Sequence, residues 1–217
     1  MLSLIEKILF PLVLTAAVAL AGLEFRKKFL MIKLGRPIQR IDRLPQRLIT
    51  ALKRVFLQLC AIENRPVTGM FHATIFWGFL VFALITLNHI FEGFFSGLSL
   101  FGHGFLADAI LFSANLFAGL ILVAVVYFLV RRYIVKVSTL ERPSPESLTI
   151  LIFISILMVS FVFYEVLKMA RNPELVNSWN FLGTWLYKAA SISATVSPIW
   201  LSLVWWLHIL VVLAFLV

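Results

Sequence analysis

The sequence is poor in cysteine and in charge. Cys60 is its single cysteine, which excludes an internal disulfide and any CxxC redox or zinc motif. An iron–sulfur cluster held by this segment alone is excluded too, because clusters need several thiolates. Charged residues make up 13% of the 217 and hydrophobic residues 62%, whereas a soluble domain carries about a quarter charged. Mean hydropathy is +1.02. Too little polar side chain is present to cover a water-facing surface, so lipid must be the solvent. The sequence also lacks an internal repeat, a Gly-rich phosphate loop and a nucleophile motif. Acidic residues are scarcer than basic ones, 10 against 19, for a net charge of +9.

What is present is apolar length. Residues 8–23, 69–91, 105–130, 148–170 and 196–217 form five runs, and a bilayer core takes about 20 residues of helix. Each must be helical, since lipid offers no partner for backbone N–H and C=O groups. The expected fold is all-α, a five-helix transmembrane bundle making one domain over residues 1–217. The first run has the look of a signal peptide. However, it carries Glu6 beside Lys7, has no small-x-small cleavage signature, and ends in Glu24-Phe25-Arg26-Lys27-Lys28. That ending is a stop-transfer flank, so the run is a span.

The basic residues set an orientation. Residues 26–65 hold eleven, among them Arg26, Lys27, Lys28, Arg47, Lys53, Arg54 and Arg65. Arg131, Arg132, Lys136 and Arg142 follow the third span, and the connection over residues 92–104 has no Lys or Arg. The positive-inside rule then places the amino terminus outside and the carboxyl end inside. This placement accounts for the basic runs without nucleic acid. In the first connection Leu48, Leu52, Val55, Phe56 and Leu59 recur at helical spacing, with Arg47, Lys53, Arg54 and Gln58 facing away. They predict a cytoplasmic amphipathic helix, lying either on the inner membrane surface or against a protein partner. Trp179, Phe181, Trp185 and Tyr187 suit a segment at the outer interface, and Trp200, Trp205 and Trp206 open the last span as an aromatic belt.

Ionisable groups inside spans are costly and mark function. His72 and His89 lie near opposite ends of the second span, and His208 lies near the middle of the fifth. His103, between Gly102 and Gly104, reads as an interfacial residue. Imidazole is an axial ligand for haem iron, and two facing helices with one His each can clamp a haem. Seventeen residues separate His72 from His89, about 25 Å along the axis and roughly 100° around it. One partner helix therefore cannot face both squarely. Each histidine could instead make an interhelical hydrogen bond. Glu92, Asp108 and Glu165 fall near the outer span ends, where carboxylates could relay protons. Gly78 and Gly119 read as helix-packing positions.

The stretch Gly69-Met70-Phe71-His72-Ala73-Thr74-Ile75-Phe76-Trp77-Gly78-Phe79 resembles the His-bearing helix of the membrane cytochrome b family typified by the respiratory nitrate reductase gamma subunit. The resemblance is closer to the amino-terminal membrane domain of bacterial proteins that join such a cytochrome to a heterodisulfide-reductase-type iron–sulfur region. Some of those are electron-transfer-flavoprotein:menaquinone oxidoreductases. Tyr127-Phe128-Leu129-Val130-Arg131-Arg132-Tyr133 and Trp205-Trp206-Leu207-His208-Ile209-Leu210 are similar to stretches of theirs. The resemblance implies a bacterial-type cytoplasmic membrane protein holding two b haems, with His72, His89 and His208 as axial ligands. It also implies menaquinone or another quinone as substrate, and an iron–sulfur region or electron-transfer flavoprotein as partner.

Two pairings stand open. His89 with His208 would hold an outer haem while His72 pairs with a histidine beyond Val217; alternatively, His72 pairs with His208. Arg131 and Arg132 are candidates to receive haem propionates. The apolar ending Phe215-Leu216-Val217 fits a membrane part continuing into a cytoplasmic iron–sulfur region. The competing function is a small polytopic transporter or channel lined by intramembrane His, Asp and Glu; a passive anchor needs no histidine in two separate spans.

Overall fold

A computed structural model describes residues 3–35, 42–95, 98–102, 104–136, 144–191 and 196–217. Five of its helices are long and apolar enough to cross a membrane: α1 (Leu4–Lys33), α4 (Pro66–Phe94), α5 (Phe105–Leu129, prolonged by a π-helical turn over Val130–Ile134), α6 (Pro145–Arg171) and α8 (Pro198–Leu216). Between them lie α2 (Leu44–Phe56), α3 (Leu59–Ile62), a 3₁₀ turn (Pro173–Leu175) and α7 (Phe181–Ala190). All regular structure among the described residues is helical. This is a multi-pass membrane protein.

Local signals start these helices where the backbone needs partners. Ser3 caps α1, accepting from the Glu6 amide while the Glu6 carboxylate accepts from the Ser3 amide. Ser144 and Ser197 cap α6 and α8, each followed by Pro at the first helical position. Four of the five helices outrun their apolar runs because the polar flanks also favour helix. The first run predicts a span to residue 23, yet α1 continues through Arg26, Lys27 and Lys28 to Lys33. Lys and Arg are good helix formers, and Lys27 adds an ion pair to Glu24 at 2.5 Å. The amphipathic segment forms as predicted over Leu44–Phe56, but Leu59 is not on it. The chain breaks at Gln58, whose φ is 50°, and Leu59 opens the separate turn α3. Phe56 packs edge-on against Phe76 of α4.

α6 is the central helix, with 56% of its apolar window buried against 17–33% for the other spans. It packs against α5, α7 and α8, and α4 packs against α5. Phe82 of α4 meets Phe161 of α6 edge to face at 5.0 Å, over a floor of Ala114, Ala118 and Ile121 from α5 that is wholly buried. A side chain at Gly78 would collide with Ile121 and Phe117, so this glycine sets the α4–α5 approach. Lipid tails are as apolar as Leu, so close packing of this kind rather than hydrophobic burial binds the helices.

α1 docks on the outside of this group, with Phe10 at the centre of the contact and Ala17 buried beyond it. Phe10 is wholly buried against Gly93 and Phe94 of α4 and Trp205 and Trp206 of α8. Glu6, one turn earlier, accepts from Ser202 and from Trp206 Nε1. These contacts put the start of α1, the end of α4 and the start of α8 at one end of the bundle. Arg65, Arg131, Arg132 and the close of α1 lie at the other, basic end.

Candidate functional site

The bundle brings two histidines together. His89 of α4 and His208 of α8 stand edge to face with ring centroids 5.5 Å apart and planes at 85°. They are 6% and 3% exposed. Both cost desolvation in such a setting unless their nitrogens are used. Rotation along α4 explains which histidine arrives here. His89 lies about 100° around the helix from His72, and that turn points it into the bundle towards α8.

His208 is held through one ring nitrogen. Its Nδ1 lies 2.9 Å from Ser160 Oγ of α6, and the Ser160 hydroxyl is 3.1 Å from the Leu157 carbonyl. Ser160 has one proton. Donated to Leu157 O, it leaves Oγ to accept from His208 Nδ1–H. The lone pair of His208 then sits on Nε2, the form that binds metals, with the other ring nitrogen held by a protein acceptor. His89 differs: its Nδ1 is buried without a hydrogen-bond partner. Tyr164 packs edge-on to His89 at 5.6 Å, and Lys168 Nζ lies over that tyrosine, 5.5 Å from the ring centroid.

Beside His208 opens a cleft of about 440 Å³, walled by Phe79, Ala83 and Thr86 of α4, Met158 of α6, and Val212 and Phe215 of α8. That volume lies in the range of cofactor pockets, about 300–1,000 Å³ and mostly apolar. Phe79, Ala83 and Thr86 share one stripe of α4, and His72 is on the same stripe within about 40°. His72 itself is exposed at the basic end, with Nδ1 3.1 Å from Gln58 Oε1. His72 and His208 are thus not brought together, being separated by most of the length of α4. Arg131 and Arg132 do not line this cleft; they face a separate cavity between α5 and α6. His103 lies outside the described residues.

A polar cluster caps the histidine pair at the end away from the basic residues. Glu165, buried on α6, accepts from Lys168 Nζ at 2.9 Å and from Asn180 Nδ2 at 2.8 Å. Glu92 accepts from Asn88 at 2.7 Å, and Asn88 in turn accepts from Ser99 and the Leu100 amide. Asn115 accepts from the Gly183 amide at 3.3 Å, tying α7 to α5. Asp108, grouped with the two glutamates on sequence grounds, sits apart in the first turn of α5. Sequence reasoning missed Ser160, Tyr164, Asn115 and Asn180. The only available signal was polarity inside or beside a span, which does not say what each side chain meets.

Among the described residues no group of three or more His, Cys, Asp or Glu could cage a bare metal ion. A haem brings four nitrogens of its own and asks the protein for two axial ligands. His208, held at Nδ1 by Ser160, His89 with its Nδ1 unpartnered, and the adjoining apolar cleft fit that demand. The rings are in contact, so loading requires them to part.

Comparison with known proteins supplies a class. The chain is 28% identical over 212 residues to the probable iron-sulfur-binding oxidoreductase FadF of Bacillus subtilis, covering 97% of this chain and 30% of that protein. It is 27% identical over 189 residues to the EtfAB:quinone oxidoreductase of Syntrophomonas wolfei, covering 82% of this chain and 26% of that protein. Its relatives are oxidoreductases. The kinship supports a general electron-transfer role for a membrane part, and the chain spans less than a third of either relative's length. No protein-family model and no solved structure matches it.

Proposed function

We propose that this chain is a membrane electron-transfer module that carries haem b and links an iron–sulfur or flavoprotein partner to the quinone pool. The observation that carries the reading is the meeting of His89 and His208 inside the bundle, with His208 Nδ1 hydrogen-bonded to Ser160, beside an apolar cleft. The relatives support it: one is named as iron–sulfur-binding, the other as a quinone oxidoreductase for EtfAB. Both are bacterial, in keeping with a bacterial cytoplasmic membrane. The transporter alternative gains nothing comparable, because the five spans run without the mid-membrane breaks that mark many carriers.

When bound, haem supplies one-electron transfer between partner and quinone. The chain's own residues hold and orient it and keep water out. His89 and His208 would hold it. His72 would serve a second haem only with an imidazole from outside these 217 residues. Ser160 keeps the His208 ring in one orientation. Quinone chemistry also moves protons, and Glu165 and Glu92 stand with Lys168 at the end of the bundle nearest the histidine pair. They are the groups to exchange protons there.

A reduced-minus-oxidised spectrum of the full-length protein tests the reading. A b-type signal is expected, and His208→Ala and His89→Ala should each lose one haem while the protein still folds. A stable, colourless preparation from cells well supplied with porphyrin would overturn the proposal. Unchanged haem content in His89→Ala would remove that residue from the ligand set.

A further inference from the structure

The π-helical end of α5 builds a second site, independent of the histidines. Phe128, Arg131 and Arg132 face Ser147, Ile150 and Leu151 of α6 across a cavity of about 220 Å³. Among the described residues no carboxylate lines it and neither arginine is in an ion pair. Arg132 Nε is buried with no hydrogen-bond partner. A buried donor of a charged group left unsatisfied is costly, and two guanidiniums on adjacent residues repel. Both costs are removed by an anion in the cavity. The wider π turn, closed by the Val135 amide on the Val130 carbonyl at 2.9 Å, is what places the two arginines here in succession.

The cavity's other walls say what kind of anion. Phe128, Ile150 and Leu151 are apolar, and the site lies at the end of a 30-residue apolar span, where the helix leaves the hydrocarbon layer. The ligand must therefore carry an acyl body as well as a negative head. We propose that this cavity binds the phosphate of an anionic glycerophospholipid, with its chains lying along Phe128, Ile150 and Leu151. Basic pockets between spanning helices bind such headgroups, and the planar guanidinium matches phosphate oxygens in pairs. Recognition falls on the arginines, since the Ser147 hydroxyl already donates to the Ser144 carbonyl at 2.8 Å. The proposal does not depend on haem.

Thermal unfolding of the full-length protein in a neutral detergent tests it, with phosphatidylglycerol, phosphatidylcholine or inorganic phosphate added. Phosphatidylglycerol should raise Tm by about 5 °C, and the other two additions should leave it unchanged. Arg131→Gln/Arg132→Gln should lose most of the rise, whereas Lys27→Gln/Lys28→Gln on the exposed flank of α1 should keep it. An equal rise with phosphatidylcholine, the full rise with inorganic phosphate alone, or an undiminished rise in the arginine variant each overturns the proposal. Should the arginine variant not fold, lipid analysis of the unaltered protein decides. About one phosphatidylglycerol per chain should survive exhaustive detergent washing, as expected of a headgroup held between helices, and retention of none refutes the site.

Discussion

Ser160 and Glu165 act on the candidate site without touching any ligand. Ser160 Oγ is hydrogen-bonded to His208 Nδ1 and to the Leu157 carbonyl, and an imidazole that donates its Nδ1 proton to a fixed acceptor is the stronger electron donor. Ser160→Ala should keep the fold, weaken haem retention about 10–100-fold and raise the haem midpoint potential, read by titration of the difference spectrum. Unaltered retention and potential would leave Ser160 as a packing residue. Glu165 is bound on two sides, to Lys168 and to Asn180. Glu165→Gln keeps an acceptor for the buried Asn180 amide and loses a pair whose lysine is 36% exposed, which costs about 1 kcal/mol or less. Glu165→Leu strands the amide and should cost about 1–3 kcal/mol more. Unfolding of both variants in mixed detergent gives the difference. The sequence placed His89 and Glu165 near one end of the bundle but could not pair them with Ser160 or Asn180. Such pairing depends on the rotation of each helix, and long apolar runs hide that rotation.

Packing of whole helices supplies the missing rotation. The side-chain-free edge at Gly78 lets α5 press against α4 at Ile121 and Phe117, whereas a methyl group at Gly119 would meet nothing within 4 Å. Gly78→Val should cost about 1–3 kcal/mol by overpacking. Gly119→Ala should be neutral or stabilise by up to about 1 kcal/mol through helix propensity. Melting curves in detergent distinguish the two, and equal effects would deny Gly78 its role. The sequence predicted packing roles for both glycines; of the two, the structure gives one to Gly78 of α4 and none to Gly119 of α5, because apolar runs do not say which side of each helix meets a neighbour. Element ends were similarly half legible. The five spans were evident from length and hydropathy, but α1 runs ten residues past its expected end, from 23 to 33. Hydropathy reports where lipid stops, and helix propensity continues into the polar flank.

At the scale of the molecule the alternation of spans was legible, because an odd number of crossings and clustered cations admit few arrangements. Contacts between Glu6 and Ser202 and between Phe10 and Gly93 fit that alternation. Which face meets the cytoplasm is an expectation from charge alone, by the positive-inside rule. Cys60 makes the orientation directly measurable on these 217 residues expressed alone, since it is their single cysteine and is exposed at the basic end. A membrane-impermeant maleimide should leave Cys60 unmodified in intact spheroplasts and modify it in inverted vesicles. Moving the thiol to the opposite end, as Cys60→Ser/Glu174→Cys, should reverse the pattern, because Glu174 is exposed in the turn after α6. If Cys60 reacts from outside, the bundle is inverted. The Glu165 and Glu92 cluster would then face the cytoplasm, and any proton taken or released beside His89 and His208 would be exchanged on that side instead.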